Sequence, residues 1–113
     1  MSTRLTSQML VGALVRRAQA EGGSAMVLHK GESVSGTIVV QLLDRGVNQG
    51  LFERISSLSG GLDLLPCGPA PDRPDADFSQ YIERRAAMDP DIWFIELDTV
   101  SGQQLAAEIL CMG

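Results

Sequence analysis

The chain has 113 residues, a length typical of one domain, and we expect residues 1–113 to fold as a single domain. Fourteen acidic residues against nine basic ones give a net charge of −5, which disfavours a protein that binds nucleic acid by neutralising phosphates. No apolar run reaches membrane-spanning length, and the two cysteines are not spaced as a zinc motif. We therefore expect a cytoplasmic protein with reduced cysteines, with no nucleic acid or membrane as partner, and with no metal or cofactor.

The first predicted element is a helix from about Ser7 to Glu21. Thr6 is its predicted N-cap, and Gly22-Gly23 is expected to end it. Its apolar side chains share one stripe, which predicts that the helix packs on a core: Leu10, Val11, Leu14, Val15 and Ala18.

Three β-rich runs follow at residues 24–30, 36–44 and 51–56, and they are separated by glycine-bounded turns. This pattern predicts a meander of antiparallel strands. A fourth run at residues 62–67 contains Pro66, which has no backbone N–H to donate, so we expect this run at an edge of the sheet.

The proline-rich residues 66–76 predict a surface loop inside the domain. A second helix is expected from about Phe78 to Met88, with Asp77 as its N-cap, because the residue before Pro90 avoids helical geometry. The apolar run at residues 92–98 then predicts a strand.

Ser101 and Gln104 have the spacing of a capping box, which predicts that a last helix begins there. Several of the predicted strands are apolar at successive positions, and this indicates that helices cover both faces of the sheet. The helix before residues 92–98 permits that strand to pair in parallel with another. We predict an α+β fold in the order α-β-β-β-(β)-α-β-α, with a mixed, mainly antiparallel sheet of four or five strands and helices on both faces.

Three segments carry a family resemblance: residues 5–43, residues 50–54 and residues 81–98, in which DPDIWFIELD is the most specific part. Through them nearly the whole chain resembles a bacterial family known as domain of unknown function 1491. The resemblance implies a small stand-alone bacterial protein with no assigned activity. Because that family has no established site residues, it implies none for this chain.

A first candidate for acid–base or phosphate chemistry is the run His29, Lys30, Gly31 and Glu32 at a predicted hairpin end. Hairpin ends usually carry exposed polar residues, and no serine, cysteine or acid is spaced as a triad partner. We therefore favour a solvated turn over catalysis and expect no catalytic residue.

A second candidate is acidic, because clustered carboxylates bind hard cations. The pair Pro90-Asp91 followed by acids on a strand resembles a metal-dependent nuclease pattern, but the lysine of that pattern is missing here. We favour solvated loop acids over a metal site for these residues: Asp89, Asp91, Glu96 and Asp98.

The third candidate consists of two arginine pairs on the predicted helices, Arg16-Arg17 and Arg84-Arg85. Guanidinium groups suit phosphate and carboxylate ligands. Arg85 falls on the apolar stripe of its helix, and Glu96 shares a strand face with other inward-facing residues. An unpaired charge at the border of a core is costly, so we predict a structural ion pair between Arg85 and Glu96.

Two hypotheses for function remain. Residues 1–54 carry a charge of +2 and residues 55–113 one of −7, and no set of residues has catalytic spacing. The first hypothesis is therefore a non-enzymatic module that binds a protein partner or a second copy of itself. The alternative is a small enzyme or ligand-binding protein that recognises an anionic molecule, phosphorylated or carboxylate, through Arg16, Arg17, Arg84, Arg85 and Glu96.

Overall fold

A computed structural model describes residues 5–111. Three helices and five strands lie in this range: α1 (Ser7–Ala20), β1 (Ser24–His29), β2 (Ile38–Asp44), β3 (Val47–Ser56), β4 (Leu62–Cys67), α2 (Asp75–Met88), β5 (Trp93–Asp98) and α3 (Gly102–Leu110). The order and the α+β class agree with the prediction. No helix of this range is long and apolar enough to cross a lipid bilayer.

The five strands form one sheet in the order β1-β5-β2-β3-β4. β5 pairs in parallel with β2, and every other neighbouring pair is antiparallel. The predicted meander is correct for β2, β3 and β4 but wrong for β1, because β5 lies between β1 and β2. The side chains of Ile92–Ile95 are large, apolar and buried on both sides of the strand, and only an interior position covers both sides. The edge position predicted for the strand with Pro66 is confirmed.

Helices cover both faces of the sheet, as predicted, but unequally. On one face α1 and α3 pack on Trp93, Ile95 and Leu97 of β5, and we call this the two-helix face. On the other face α2 packs on Phe94 and on residues of β2 and β3, and we call this the one-helix face. The alternation of side chains along β5 divides the core into these two layers.

The first helix begins as predicted, because the Oγ1 of Thr6 accepts a hydrogen bond from the N–H of Met9 at 3.2 Å. The start of α2 was predicted wrongly: the N-cap is Pro74, and Asp77 lies inside the first turn. Proline has the backbone angle that suits a helix entry, and acids in the first turn are stabilised by the helix dipole.

The third helix begins after Ser101, as predicted, but the predicted capping box does not form. The backbone of Ser101 has φ −117° and ψ 44°, and its side chain makes no capping hydrogen bond. A capping box needs an extended N-cap residue whose side chain points back at the helix, and this backbone conformation does not supply one.

The loop at residues 30–37 is pressed against the start of β5. A Cβ atom on Gly31 or Gly36 would overlap the carbonyl oxygen of Asp91, so both positions require glycine. Trp93 donates from Nε1 to the carbonyl of Glu32 at 2.8 Å. The loop therefore closes this end of the sheet and fixes where β5 enters it.

Candidate functional site

A polar cluster lies between α2 and the sheet on the one-helix face. Arg85 donates from Nη1 to Glu53 Oε1 at 2.6 Å and to the hydroxyl of Tyr81 at 3.1 Å. The side chains of Arg85 and Glu53 are 28% and 25% exposed. The hydrogen bond to Glu53 raises the pKa of Arg85 above its ordinary value, and this contact joins α2 to β3.

Cys67, at the end of β4, completes this cluster beside Tyr81. Burial raises the pKa of the Cys67 thiol, and the neighbouring carboxylate of Glu53 raises it too. Burial also raises the pKa of Tyr81. The thiolate is the reactive form of cysteine, so a raised pKa makes Cys67 a poor nucleophile at neutral pH. The cluster is suited to holding α2 on the sheet.

The predicted ion pair between Arg85 and Glu96 is wrong, because Arg85 pairs with Glu53. Helix and strand run back along each other from Pro90, but a helix rises about 1.5 Å per residue and a strand about 3.3 Å. Arg85 therefore stays near the start of β5 while Glu96 lies near its end. Glu53 is within reach because it lies on the same face at the level of Phe94.

The structure separates the two arginine pairs. α1 carries Arg16-Arg17 on the two-helix face and α2 carries Arg84-Arg85 on the one-helix face, so the sheet stands between them. Arg17 forms ion pairs with Glu21 and with Glu108 of α3. The four arginines therefore do not line one site.

Arg84 lies on the exposed side of α2, where a shallow depression of about 370 Å³ is lined by Gln80, Glu83, Arg84 and Ala87. All four side chains belong to one helix surface. Ligand sites are concave and bury most of their ligand, which the side of a single helix does not do.

A second depression of about 260 Å³ lies between the start of α3 and the turn from β2 to β3, lined by residues 42–44, Gln49 and residues 99–104. Asp44 Oδ1 is buried there without a hydrogen-bond partner in the described chain. The volume is below the range of pockets that hold a typical small ligand.

The side chain of His29 forms a hydrogen bond within the fold. Its Nδ1–H donates to the carbonyl oxygen of Ile92 at 2.7 Å, since a carbonyl can only accept. The carboxylate of Glu32 accepts from the N–H groups of Val34 and Ser35 at 3.0 and 2.7 Å, and these bonds lower the pKa of Glu32. Two members of the first candidate run are thus used to fix the β1 end and the loop that follows it.

The acidic residues do not converge. Asp89 and Asp91 lie before β5 and Asp98 at its far end, about 20 Å away at the usual rise of a strand. Asp98 accepts hydrogen bonds from the backbone N–H groups of Arg45 and Gly46 at 3.1 and 3.2 Å. Across residues 5–111 no three His, Cys, Asp or Glu side chains lie close enough to hold a metal ion.

The two edges of the sheet differ in chemistry. β4 contains Pro66 and Asp63, and proline and charge on an edge both discourage the pairing of another strand. β1 contains neither proline nor a charged Asp, Glu, Lys or Arg. Three consecutive apolar side chains of β1 are exposed: Met26 (57%), Val27 (40%) and Leu28 (37%).

The exposed edge continues onto the one-helix face. Met26 lies beside Glu96, and Glu96 beside Gln41, in one row across β1, β5 and β2. All three are at least partly exposed. We call this continuous patch the β1 surface, and it consists of Met26, Val27, Leu28, Gln41 and Glu96.

Sequence reasoning missed two of these features. The direction of the Glu53 side chain could have been predicted from the sequence. Glu53 lies two residues after Leu51 in β3, so the two side chains face the same layer. The exposure of Met26–Leu28 could not be predicted in this way, because three successive apolar residues are typical of an interior strand. Only the strand order reveals that they lie on an edge.

Comparison with known protein families identifies the relatives of this chain. The model of a family described as "Protein of unknown function (DUF1491)" matches residues 5–107. The chain belongs to the DUF1491 family. No curated protein matches it significantly.

Solved structures of DUF1491 relatives share the fold. A crystal structure of a DUF1491 family protein from Caulobacter crescentus is 30% identical, with a TM-score of 0.78 over 90% of this chain and 94% of that one. An NMR structure of a DUF1491 family protein from the same organism is 31% identical, with a TM-score of 0.74 over 92% and 94%. The solution structure of protein Atu0922 from A. tumefaciens is 27% identical, with a TM-score of 0.69 over 92% and 94%.

Proposed function

We propose that this DUF1491 protein is a one-domain, non-enzymatic module that binds protein partners through the β1 surface. The observation that carries the proposal is the contrast between the two sheet edges. β4 is protected by Pro66 and Asp63, whereas β1 exposes Met26, Val27 and Leu28 without a charge or a proline. An edge of that kind is a template for an added strand.

The chemistry of β1 favours a partner that supplies an extended, uncharged protein segment. The outward N–H and C=O groups of an edge strand supply hydrogen bonds to an added strand, and side chains on the two faces supply specificity. Met26 lies on the one-helix face and Val27 on the two-helix face, so an added strand meets apolar surface on both sides. The flexible side chain of Met26 can adapt to such a partner.

The state of the other candidate groups supports a binding role over catalysis. Arg85 is ion-paired, His29 donates to a backbone carbonyl, and Cys67 has a raised pKa. An anion site would rest on the exposed Arg16 and Arg84, which the sheet separates. The two unpaired cysteines support a location in the reducing cytoplasm.

Affinity capture from a native lysate with three baits tests the proposal. The baits are the wild type, Met26→Lys on the β1 edge, and Leu65→Lys at an exposed position of the β4 edge as the matched control. We expect specific partners to be lost from Met26→Lys and retained by Leu65→Lys. Identical captured proteins for all three folded baits would refute the role of the β1 surface.

A further inference from the structure

Charges of opposite sign flank β1. Glu21 precedes the strand and Lys30 follows it, and residues 22–29 carry no formal charge. Glu21 belongs with Arg17 and Glu108 to a group whose net charge is −1. Lys30 makes no ion pair in the part of the chain that the structure describes. The strand therefore has a negative group at its start and an unneutralised positive group at its end.

We infer that the occupant of the β1 surface is a second copy of this chain, paired antiparallel through β1 about a twofold axis. This inference rests on the proposed function, because it names the partner. An antiparallel pair places the start of each strand beside the end of the other. Glu21 of each copy then lies beside Lys30 of the other, and the symmetry makes this contact twice.

The side chains of β1 also match those of a second β1. In a pair centred on Met26, the two Met26 side chains lie opposite each other on one face, and Ala25 lies opposite Val27 on the other. Apolar groups meet at each of these levels. A parallel pair would instead place Glu21 beside Glu21 and Lys30 beside Lys30, and like charges would oppose it.

The geometry of β1 limits the paired length. A bulge between Val27 and His29 interrupts the regular strand, so regular pairing about Met26 covers Ala25–Val27. Few backbone hydrogen bonds form over so short a stretch. The side chains of Met26 and the two charge contacts must therefore supply much of the affinity, which makes them sensitive points for a test.

Size-exclusion chromatography with light scattering on the full chain, over a range of concentrations, tests the inference. We expect a dimer that dissociates on dilution. Met26→Lys places two lysines opposite each other and should raise the dimer Kd by about tenfold or more. Leu65→Lys, on the opposite edge, should dimerise like the wild type, and circular dichroism checks that both variants are folded.

A charge exchange tests whether the charges at the two ends of β1 stabilise the pair. Lys30→Glu alone gives a copy with acids at both ends of β1, and Glu21→Lys alone gives one with bases at both ends. Each should self-associate more weakly than the wild type. Their equimolar mixture should form a heterodimer, because each end then meets the opposite charge.

Three results would overturn the inference: a wild type that is monomeric at every concentration, equal dimerisation of Met26→Lys and wild type, or no recovery in the charge-exchanged mixture. Its failure differs from failure of the proposed function. A monomeric wild type that captures another protein only when Met26 is intact rejects the second copy and keeps the binding module. A monomer whose captured proteins do not depend on Met26 rejects both.

Discussion

The two faces of the sheet are covered in different ways. On the two-helix face, α1 and α3 bury a continuous apolar layer that includes Leu14, Trp93 and Leu105. On the one-helix face, α2 buries a smaller layer around Phe94, and the Arg85–Glu53 pair forms its border. The difference comes from the number of helices, since both faces belong to the same five strands.

Simple dimensions explain why the β1 side stays open. A helix with its side chains is about 10 Å wide and strands lie about 4.8 Å apart, so one helix covers two or three strands of the five. α2 contacts β3 and the end of β4 through Arg85 and Tyr81, which places it away from β1. Within residues 5–111, this position of α2 leaves Met26 of β1 exposed.

The largest expected effect lies on the two-helix face. Leu14 is fully buried there, and Leu14→Ala should lower the free energy of unfolding by about 4 kcal/mol, because it removes apolar contacts and leaves a cavity. Urea denaturation followed by circular dichroism measures it. The control is Met9→Ala at an exposed position of the same helix, expected within about 0.5 kcal/mol of the wild type. A loss below about 1 kcal/mol for Leu14→Ala would contradict a tightly packed layer.

A substitution at the border of the one-helix face should lower the free energy of unfolding by a smaller amount. Arg85→Ala leaves the three-quarters-buried carboxylate of Glu53 without its partner and should cost about 2 kcal/mol, between the values for exposed and buried ion pairs. Arg84→Ala, at the exposed neighbouring position, is the control. A double-mutant cycle with Glu53→Ala should show a smaller loss than the sum of the single variants, and strict additivity would mean that the pair does not couple.

A single hydrogen bond on the two-helix side should contribute still less to the free energy of unfolding. Ser7 is buried, and its Oγ donates to the carbonyl of Gly36 at 2.7 Å, which joins α1 to the loop at residues 30–37. Ser7→Ala should lower the free energy of unfolding by about 1 kcal/mol, because the carbonyl loses its donor. The exposed Ser33→Ala serves as control. Equal stability of both variants in urea would show that the loop is held by its backbone alone.

The smallest expected effect on stability comes from Glu32 in the same loop, and it depends on pH. Backbone N–H groups of Ser35 and Val34 hold the pKa of Glu32 below its ordinary value of 4.5. A lowered pKa adds stability above the unfolded value, and this stability is lost as the pH falls through the folded value. Thermal unfolding of wild type and Glu32→Gln should therefore differ at pH 7, and the difference should shrink as the pH falls below 4.5 and through the folded pKa of Glu32. A constant difference across that range would assign it to another cause.

Local chemistry made much of the fold predictable. Thr6 has the side chain of an N-cap, Pro66 cannot sit inside a sheet, and four large apolar residues at 92–95 require two covered faces. Each of these conclusions depends on a residue and its immediate neighbours, and each agrees with the structure.

Pairing between distant segments could not be predicted in the same way. Arg85 needs an acid, but several acids share its face by alternation, and only the strand order selects Glu53 over Glu96. The exposure of Met26 likewise follows from the insertion of β5 between β1 and β2. The candidate site therefore became visible only with the sheet assembled.

Amide hydrogen exchange measured by NMR at low and high protein concentration tests the central claim most directly, because it compares the two edges within one molecule. If β1 is the binding edge and a second copy its occupant, the outward amides of Ala25–Val27 should exchange more slowly at high concentration, while those of β4 remain unchanged. Exchange at β1 that does not depend on concentration, or protection that rises at β4 instead, would contradict the account.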